Sequence, residues 1–164
     1  MQHLKILNKK EKKQITVILE EQYGITQELD LVFLLSKKNK IYIINNDLAR
    51  IDLVKLKIDS IGMYLGELVG SQIRLSIEGS QLLGRYATKN IINLDKNITR
   101  LWMHGYDLEL SAIKNAINNN SDVKSEMQGF VIIKSNDDYL GCGKLGAEKL
   151  FNYVSKSRRL RIIP

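Results

Sequence analysis

Residues 141–146 read Gly-Cys-Gly-Lys-Leu-Gly, which puts phosphate-binding and nucleophilic residue types in six positions. Glycines let backbone amides surround a phosphate, a lysine neutralises one, and a thiol attacks electrophiles. As a dinucleotide-binding turn, Gly141, Gly143 and Gly146 satisfy G-x-G-x-x-G in bare letters. That turn needs an early βαβ unit and a ribose-binding acid about 20 residues further on. Only 18 residues follow Gly146, and Arg and Lys dominate them. A P-loop would need glycine where Asp138 stands and a hydroxyl where Leu145 stands. Neither chemistry fits, and no cofactor is expected.

The thiol is equally uncooperative. Cys142 is the single cysteine, which excludes an intrachain disulfide or a cysteine-built zinc site. A catalytic cysteine needs a histidine partner, and His104 is the candidate in the same half of the chain. His104 precedes Gly105 at the expected end of a helix, where a cationic side chain suits the helix dipole. Cys142 itself lies in an apolar strand, as a small core residue would. His3 and His104 are too isolated to make a metal site, and Asp137 and Asp138 read as a hairpin turn. No catalytic residue and no metal ligand is expected.

Charge points elsewhere. The chain of 164 residues carries a net charge of +7. From Lys144 onward, Lys144, Lys149, Lys156, Arg158, Arg159 and Arg161 face the single acid Glu148, so most of the excess sits in the last 21 residues. Such a cluster is the footprint of phosphate-backbone binding or a solvated basic tail. If "LRII" at 160–163 belongs to a strand, Arg159 and Arg161 share one face and Leu160 and Ile162 the other. One face would pack while the other offers guanidinium forks to phosphates. Phe151 and Tyr153 are candidate stacking residues, with burial in the core the expected role of Phe151.

The elements that must position these residues follow from hydrophobic period and punctuation. Asn8 and Glu11 make a capping box for a helix over 9–23, with Ile15, Ile18, Leu19 and Tyr23 on one face and Gly24 as its stop. The lysines at 9, 10, 12 and 13 read as a solvated face. "DLVFLLSKKNKIYIIN" is a hairpin. "DLARIDLVKL" is a short helix capped by Asp47, and 60–77 supplies two strands with bends or bulges at Gly62, Gly66 and Gly70. "EGSQLLGR" is a helix ended by Gly84. A boundary is placed at 85–89. Beyond it come a strand "NIINLD" and a helix capped by Asp95, with Ile98, Leu101 and Trp102 on one face and Gly105 as its stop. An exposed loop at 115–126, a hairpin "GFVIIKSNDDYLGCGK" and a last strand "LRII" complete the chain. The fold class is α+β: an α/β unit over 1–86, then over 87–164 a mostly β unit compatible with a small barrel.

This order resembles a PUA domain, the RNA-binding pseudo-barrel named for pseudouridine synthases and archaeosine transglycosylases. The residues that carry the likeness are "NIINLD", the helix ending "LWMHGYDLEL", the hairpin and the basic ending "NYVSKSRRLRII". With "NKIYIINNDLARI", "SIGMYLGEL" and "IRLSIEGSQLLG" ahead of it, the whole chain resembles the ribosome-assembly family called nuclear import protein seven. The second half is also similar to the C-terminal domain of the Nol-Nop-Sun (Fmu) ribosomal RNA methyltransferases, a domain free-standing in archaea. Ser155 departs from the proline expected in close relatives, which leaves the path of the tail open.

The resemblance implies a non-catalytic protein that binds RNA, above all ribosomal RNA, during subunit assembly. It places RNA on Lys144, Lys156, Arg158, Arg159 and Arg161, with the Gly105-Tyr106-Asp107 loop beside them. Pre-ribosomal particles are the implied assembly. The alternative is an RNA-guiding partner of a separate methyltransferase, since the chain lacks that enzyme's glycine-rich cofactor site and Pro-Cys nucleophile motif. The longest purely apolar run, Leu31–Leu35, is far shorter than the roughly 20 residues of a membrane helix, and a cytoplasmic location is expected.

Overall fold

A short strand, β1 (Leu4–Ile6), precedes the first helix in the computed structural model, which describes residues 4–49, 61–118 and 127–161. No sequence signal announces β1, because three residues are too few to show a period. Helix α1 (Lys9–Tyr23) starts and stops as predicted. The Asn8 side chain accepts from the Glu11 N–H at 3.0 Å, and the Glu11 carboxylate accepts from the Asn8 N–H at 3.0 Å. Gly24 closes the helix in the left-handed conformation, at a φ of 66°. Of its lysines, Lys12 is not merely solvated: its Nζ donates to the Leu29 and Leu31 carbonyls at 2.8 and 2.9 Å.

The buried face of α1 covers an antiparallel meander. Strands β2 (Val32–Ser36) and β3 (Lys40–Ile44) form the predicted hairpin, and β4 (Met63–Val69) and β5 (Gln72–Leu75) a second one. The order is β1-β2-β3-β4-β5. Strand alternation sends Ile41, Ile43, Leu65, Ile73 and Leu75 into a core with Ile15, Leu19 and Tyr23. Ile41 pairs with Gly66 while Tyr42 pairs with Tyr64, so the expected bulge falls at Leu65–Gly66. Between the hairpins lies α2 (Asn46–Ala49), which corrects the expected cap. Asp47 stands within its first turn, one residue past the helix start; the remainder of that predicted helix lies outside the described residues.

Helix α3 (Ile77–Leu83), capped by Ser76 Oγ accepting from the Gly79 N–H at 2.8 Å, runs through Gly84 into a 3-10 turn, Gly84–Tyr86. Gly84 is right-handed there, so it prolongs the coil in tighter form instead of reversing it.

The second sheet is wound differently. Its elements are β6 (Ile91–Asn93), α4 (Lys96–Met103), β7 (Leu108–Glu109), α5 (Lys114–Asn118), β8 (Phe130–Ser135), β9 (Asp138–Leu145) and β10 (Lys149–Asn152). The order is β6-β8-β9-β10-β7, with β6 parallel to β8 and the other pairs antiparallel. One of the two sheets is a curled half-barrel. Against the second sheet Trp102, Leu150, Val131, Ile133, Ile92 and Leu108 pack together. Asp95 caps α4 as predicted, its Oδ1 accepting from the Asn97 and Ile98 N–H groups at 2.8 and 3.0 Å. Leu101, expected on the buried face with Trp102, is 45% exposed. Residues next to each other on a helix lie about 100° apart, so Trp102 takes the core and Leu101 does not. The predicted loop at 115–126 begins within α5, and 119–126 lies outside the described residues.

A buried polar seam joins the sheets. β5 is an edge strand, and the Gln22 side chain pairs with it as a neighbouring peptide would. Gln22 Oε1 accepts from the Ile73 N–H at 2.8 Å, and Nε2 donates to the Ile73 carbonyl at 3.0 Å. The same Nε2 reaches the Phe130 carbonyl of β8 at 3.5 Å. Tyr23 donates its hydroxyl to the Ile73 carbonyl at 2.6 Å and lies 3.5 Å from Cys142 Sγ. Asn90 Nδ2 donates to the Gln22 carbonyl at 2.6 Å. Cys142 and Ile132 of the second sheet belong to the same apolar cluster as Ile15 and Leu19.

Candidate nucleic-acid interface

The glycines of 141–146 serve packing. A Cβ on Gly143 would fall 2.8 Å from the Trp102 ring and 2.7 Å from Leu150, so its absence lets the tryptophan seat against β9. Gly146 lies under the Phe151 ring. Cys142 is enclosed, and burial pushes its thiol above the ordinary range. The thiolate that nucleophilic chemistry needs is therefore disfavoured. No group of three or more His, Cys, Asp or Glu side chains converges as a metal site among the described residues.

Lys144 does take an outward position. It pairs across the ladder with Phe130 on β8 and Phe151 on β10, and its Nζ lies 5.6 Å from the Phe130 ring centre. Phe151 is 43% exposed, the reverse of its expected burial. Its alternation partner Leu150 takes the core, so Phe151 must face out. Tyr153, just past β10, is 42% exposed and meets Phe130 edge-to-face at 5.6 Å.

The row continues onto the first sheet. The Arg74 guanidinium lies 4.7 Å over the Tyr153 ring and is held at 2.5 Å by Glu67. Glu67 is opposite Arg74 on one side and Lys40 on the other, a cross-strand ladder of alternating charge. Lys40 Nζ lies 5.6 Å over Tyr64, whose ring is 5.5 Å from that of Tyr42. Burial pushes the Tyr64 phenol above its ordinary value, with the Glu67 carboxylate adding to the effect. Aromatic rings with cations set on them thus span both sheets. Where the sheets meet, Lys40, Tyr64, Arg74, Gly141, Tyr153 and Arg158 line a cleft of about 550 Å³.

The tail divides the remaining predicted residues. A 3-10 turn, Lys156–Arg158, replaces the expected extended path, and neither Leu160 nor Arg161 belongs to a strand. Ile162 and Ile163 lie outside the described residues. Lys156 and Arg161 are exposed. Arg158 is ion-paired with Glu78 of α3. Arg159 turns inward, its Nε donating to the Val154 carbonyl at 3.0 Å and its side chain lying against Gly105. A Cβ there would fall 2.2 Å from that Nε, and the φ of 89° excludes most side chains besides. Arg159 and Arg161 therefore do not share a free face. The tail is further tied by the Leu160 N–H, which donates to the Met103 carbonyl at 2.9 Å, and by the Leu160 carbonyl, 2.9 Å from His104 Nδ1.

The Gly105-Tyr106-Asp107 loop is beside the tail, as expected, and most of it is scaffold. Asp107 accepts from the Asn152 N–H at 2.8 Å, and Asn152 Nδ2 donates to the Trp102 and Tyr106 carbonyls at 2.8 and 3.2 Å. The Tyr106 ring stays 53% exposed. Sequence reasoning missed Lys40, Tyr64 and Arg74. Their one signal is the register of three strands, which brings Lys40, Glu67 and Arg74 into a line.

No protein-family model matches the chain, and no curated protein matches it. No helix of the described residues is long and apolar enough to cross a membrane.

Proposed function

We propose that the chain is a non-catalytic RNA-binding protein acting on ribosomal RNA during ribosome assembly or modification. Residues 1–86 form its α/β unit and residues 87–164 its PUA-type unit. One observation carries this reading: exposed aromatic rings set beside cations, Phe151 across the ladder from Lys144 and Tyr153 under Arg74, run beside an exposed basic tail. Rings stack on bases of any sequence while cations hold the phosphates. Lys144, Lys156 and Arg161 are the phosphate-binding groups, with Arg158 available when it leaves Glu78. Arg159, Gly105 and Asp107 hold the tail in place, and Tyr106 offers a further ring.

A second reading, an RNA-guiding partner of a separate methyltransferase, draws on exposed Leu101, Tyr106 and Leu160, whose backbones meet at the end of α4. Fluorescence anisotropy with single-stranded RNA over a salt series tests the first. Each phosphate that is no longer neutralised takes about 0.7 off the slope of log affinity against log salt. The double change Lys156→Glu and Arg161→Glu is expected to flatten the slope and weaken binding at least tenfold at low salt. An unchanged slope and affinity would exclude the tail as the RNA surface.

A further inference from the structure

The cleft between the sheets lies on the aromatic row, and the basic tail forms one of its walls. Tyr153, Ser155 and Arg158 come from the tail side, and Lys40, Tyr64 and Arg74 from the first sheet. Its volume of about 550 Å³ exceeds what one nucleotide fills. The Arg74 plane is set before any ligand arrives, because Tyr153 supports one face at 4.7 Å and Glu67 grips its edge at 2.5 Å. A guanidinium fixed in this way is a stacking surface for a base. Tyr64 stands beside it with Lys40 over its ring, so a cation is available to a phosphate on the first-sheet side. Arg158 offers another on the tail side, though it is ion-paired with Glu78. The Glu67 and Glu78 carboxylates supply acceptors for an exocyclic amine.

We propose that this cleft seats one unpaired nucleotide, its base against Arg74 and Tyr64, in an RNA strand running from the Lys156–Arg161 tail across both sheets. The inference rests on the RNA-binding reading and adds to it. It makes the first sheet part of the binding surface and makes single-stranded RNA the preferred form. A base paired within a duplex is stacked and cannot enter.

The test compares affinities for a single-stranded RNA and for a blunt duplex of the same sequence. Arg74→Met and Tyr64→Leu are each expected to lower the single-strand-to-duplex affinity ratio about tenfold, the usual size of one missing base stack. Lys40→Ala removes a solvent-facing cation, leaves the folded core intact, and should lower the ratio about threefold by leaving one phosphate without its cation. If Arg74→Met or Tyr64→Leu disturbs the melting temperature, Lys40→Ala decides. A ratio unchanged in a folded variant overturns the cleft assignment while leaving RNA binding through the tail standing. If the wild-type chain binds neither RNA, the RNA reading fails, and the cleft is then judged with uridine monophosphate by NMR. Shifts of the Tyr64 and Tyr153 ring protons support a nucleotide seat, and their absence overturns it.

Discussion

The seam between the sheets and the surface a few ångströms outside it use similar polar groups to opposite ends. In the seam, Gln22 and Tyr23 direct most of their hydrogen-bonding capacity to the backbone of one residue, Ile73. Those groups are buried, and an unmade bond there would cost about 1–3 kcal/mol. On the surface, Arg74, Lys144 and Lys40 rest on aromatic rings, and Lys156 and Arg161 are exposed. Lys144, Lys156 and Arg161 keep most of their hydration and lose little when they exchange partners, while Arg74 is held ready by Tyr153 and Glu67 with one side open to the cleft. The inner set fixes how the halves meet, and the outer set is left able to bind.

The largest effect separating the two regions is expected from Gln22→Ala. It strands the Ile73 N–H of an edge strand in the interior, the Ile73 carbonyl still accepting from Tyr23, and a loss of about 2 kcal/mol follows from the unsatisfied donor. Urea unfolding measures it, and a loss under about 1 kcal/mol would mean that water replaces the amide. Next in size is an alkaline effect. Burial raises Cys142 above the ordinary 9.0 and Tyr23 well above 10.0, the latter with the neighbouring thiol adding to the rise. Unfolding lets both groups lose protons more readily, so the unfolded chain binds fewer protons at high pH. Stability should be flat below about pH 9 and fall above it. Tyr23→Phe should weaken that fall in a pH series of melting temperatures, and an identical slope would place its origin elsewhere. Smaller again is Arg159→Ala, which releases the tail from Val154 and Gly105 at about 1 kcal/mol. Faster amide exchange at Leu160 would report it, and unchanged protection would show that the Leu160–Met103 bond suffices.

What the sequence made legible follows the same division. Local grammar was readable: the Asn8–Glu11 box, Asp95 as a cap, the β8–β9 hairpin and the two hairpins of the first sheet each depend on residues a few positions apart. The α+β class came from those elements. Strand β1 was too short to register, and Asp47 was misplaced because a cap and a first-turn acid look alike in one dimension. The tail misled most. Alternation in "RRLR" suggested a strand with one basic face, yet the left-handed Gly105, 54 residues earlier, leaves the space that draws Arg159 inward. Of the predicted binding residues, Lys144, Lys156, Arg158 and Arg161 are exposed, Arg158 within an ion pair to Glu78, and Arg159 is half-buried. Lys40 and Arg74 were illegible because their meeting depends on the registers of β3, β4 and β5 together.

The smallest stability effect is expected from Glu78→Gln, and it cuts most finely between fixed and free cations. The Arg158–Glu78 pair joins the tail to α3 with side chains 54% and 34% exposed. Exposed pairs of this kind contribute about 0–1 kcal/mol, so melting should barely move. RNA binding should respond, because a phosphate that takes Arg158 must first displace the carboxylate. With glutamine in its place, Arg158 carries its own counterion in the free protein and releases it to RNA. Affinity at low salt should rise about threefold, and the salt slope should steepen by a fraction approaching about 0.7. A rise in affinity with no change in slope would mean that Glu78 merely repels RNA from a distance and that Arg158 touches no phosphate. A steeper slope would put Arg158 with Lys156 and Arg161 on the RNA backbone, and would make the ion pair a restraint that RNA removes.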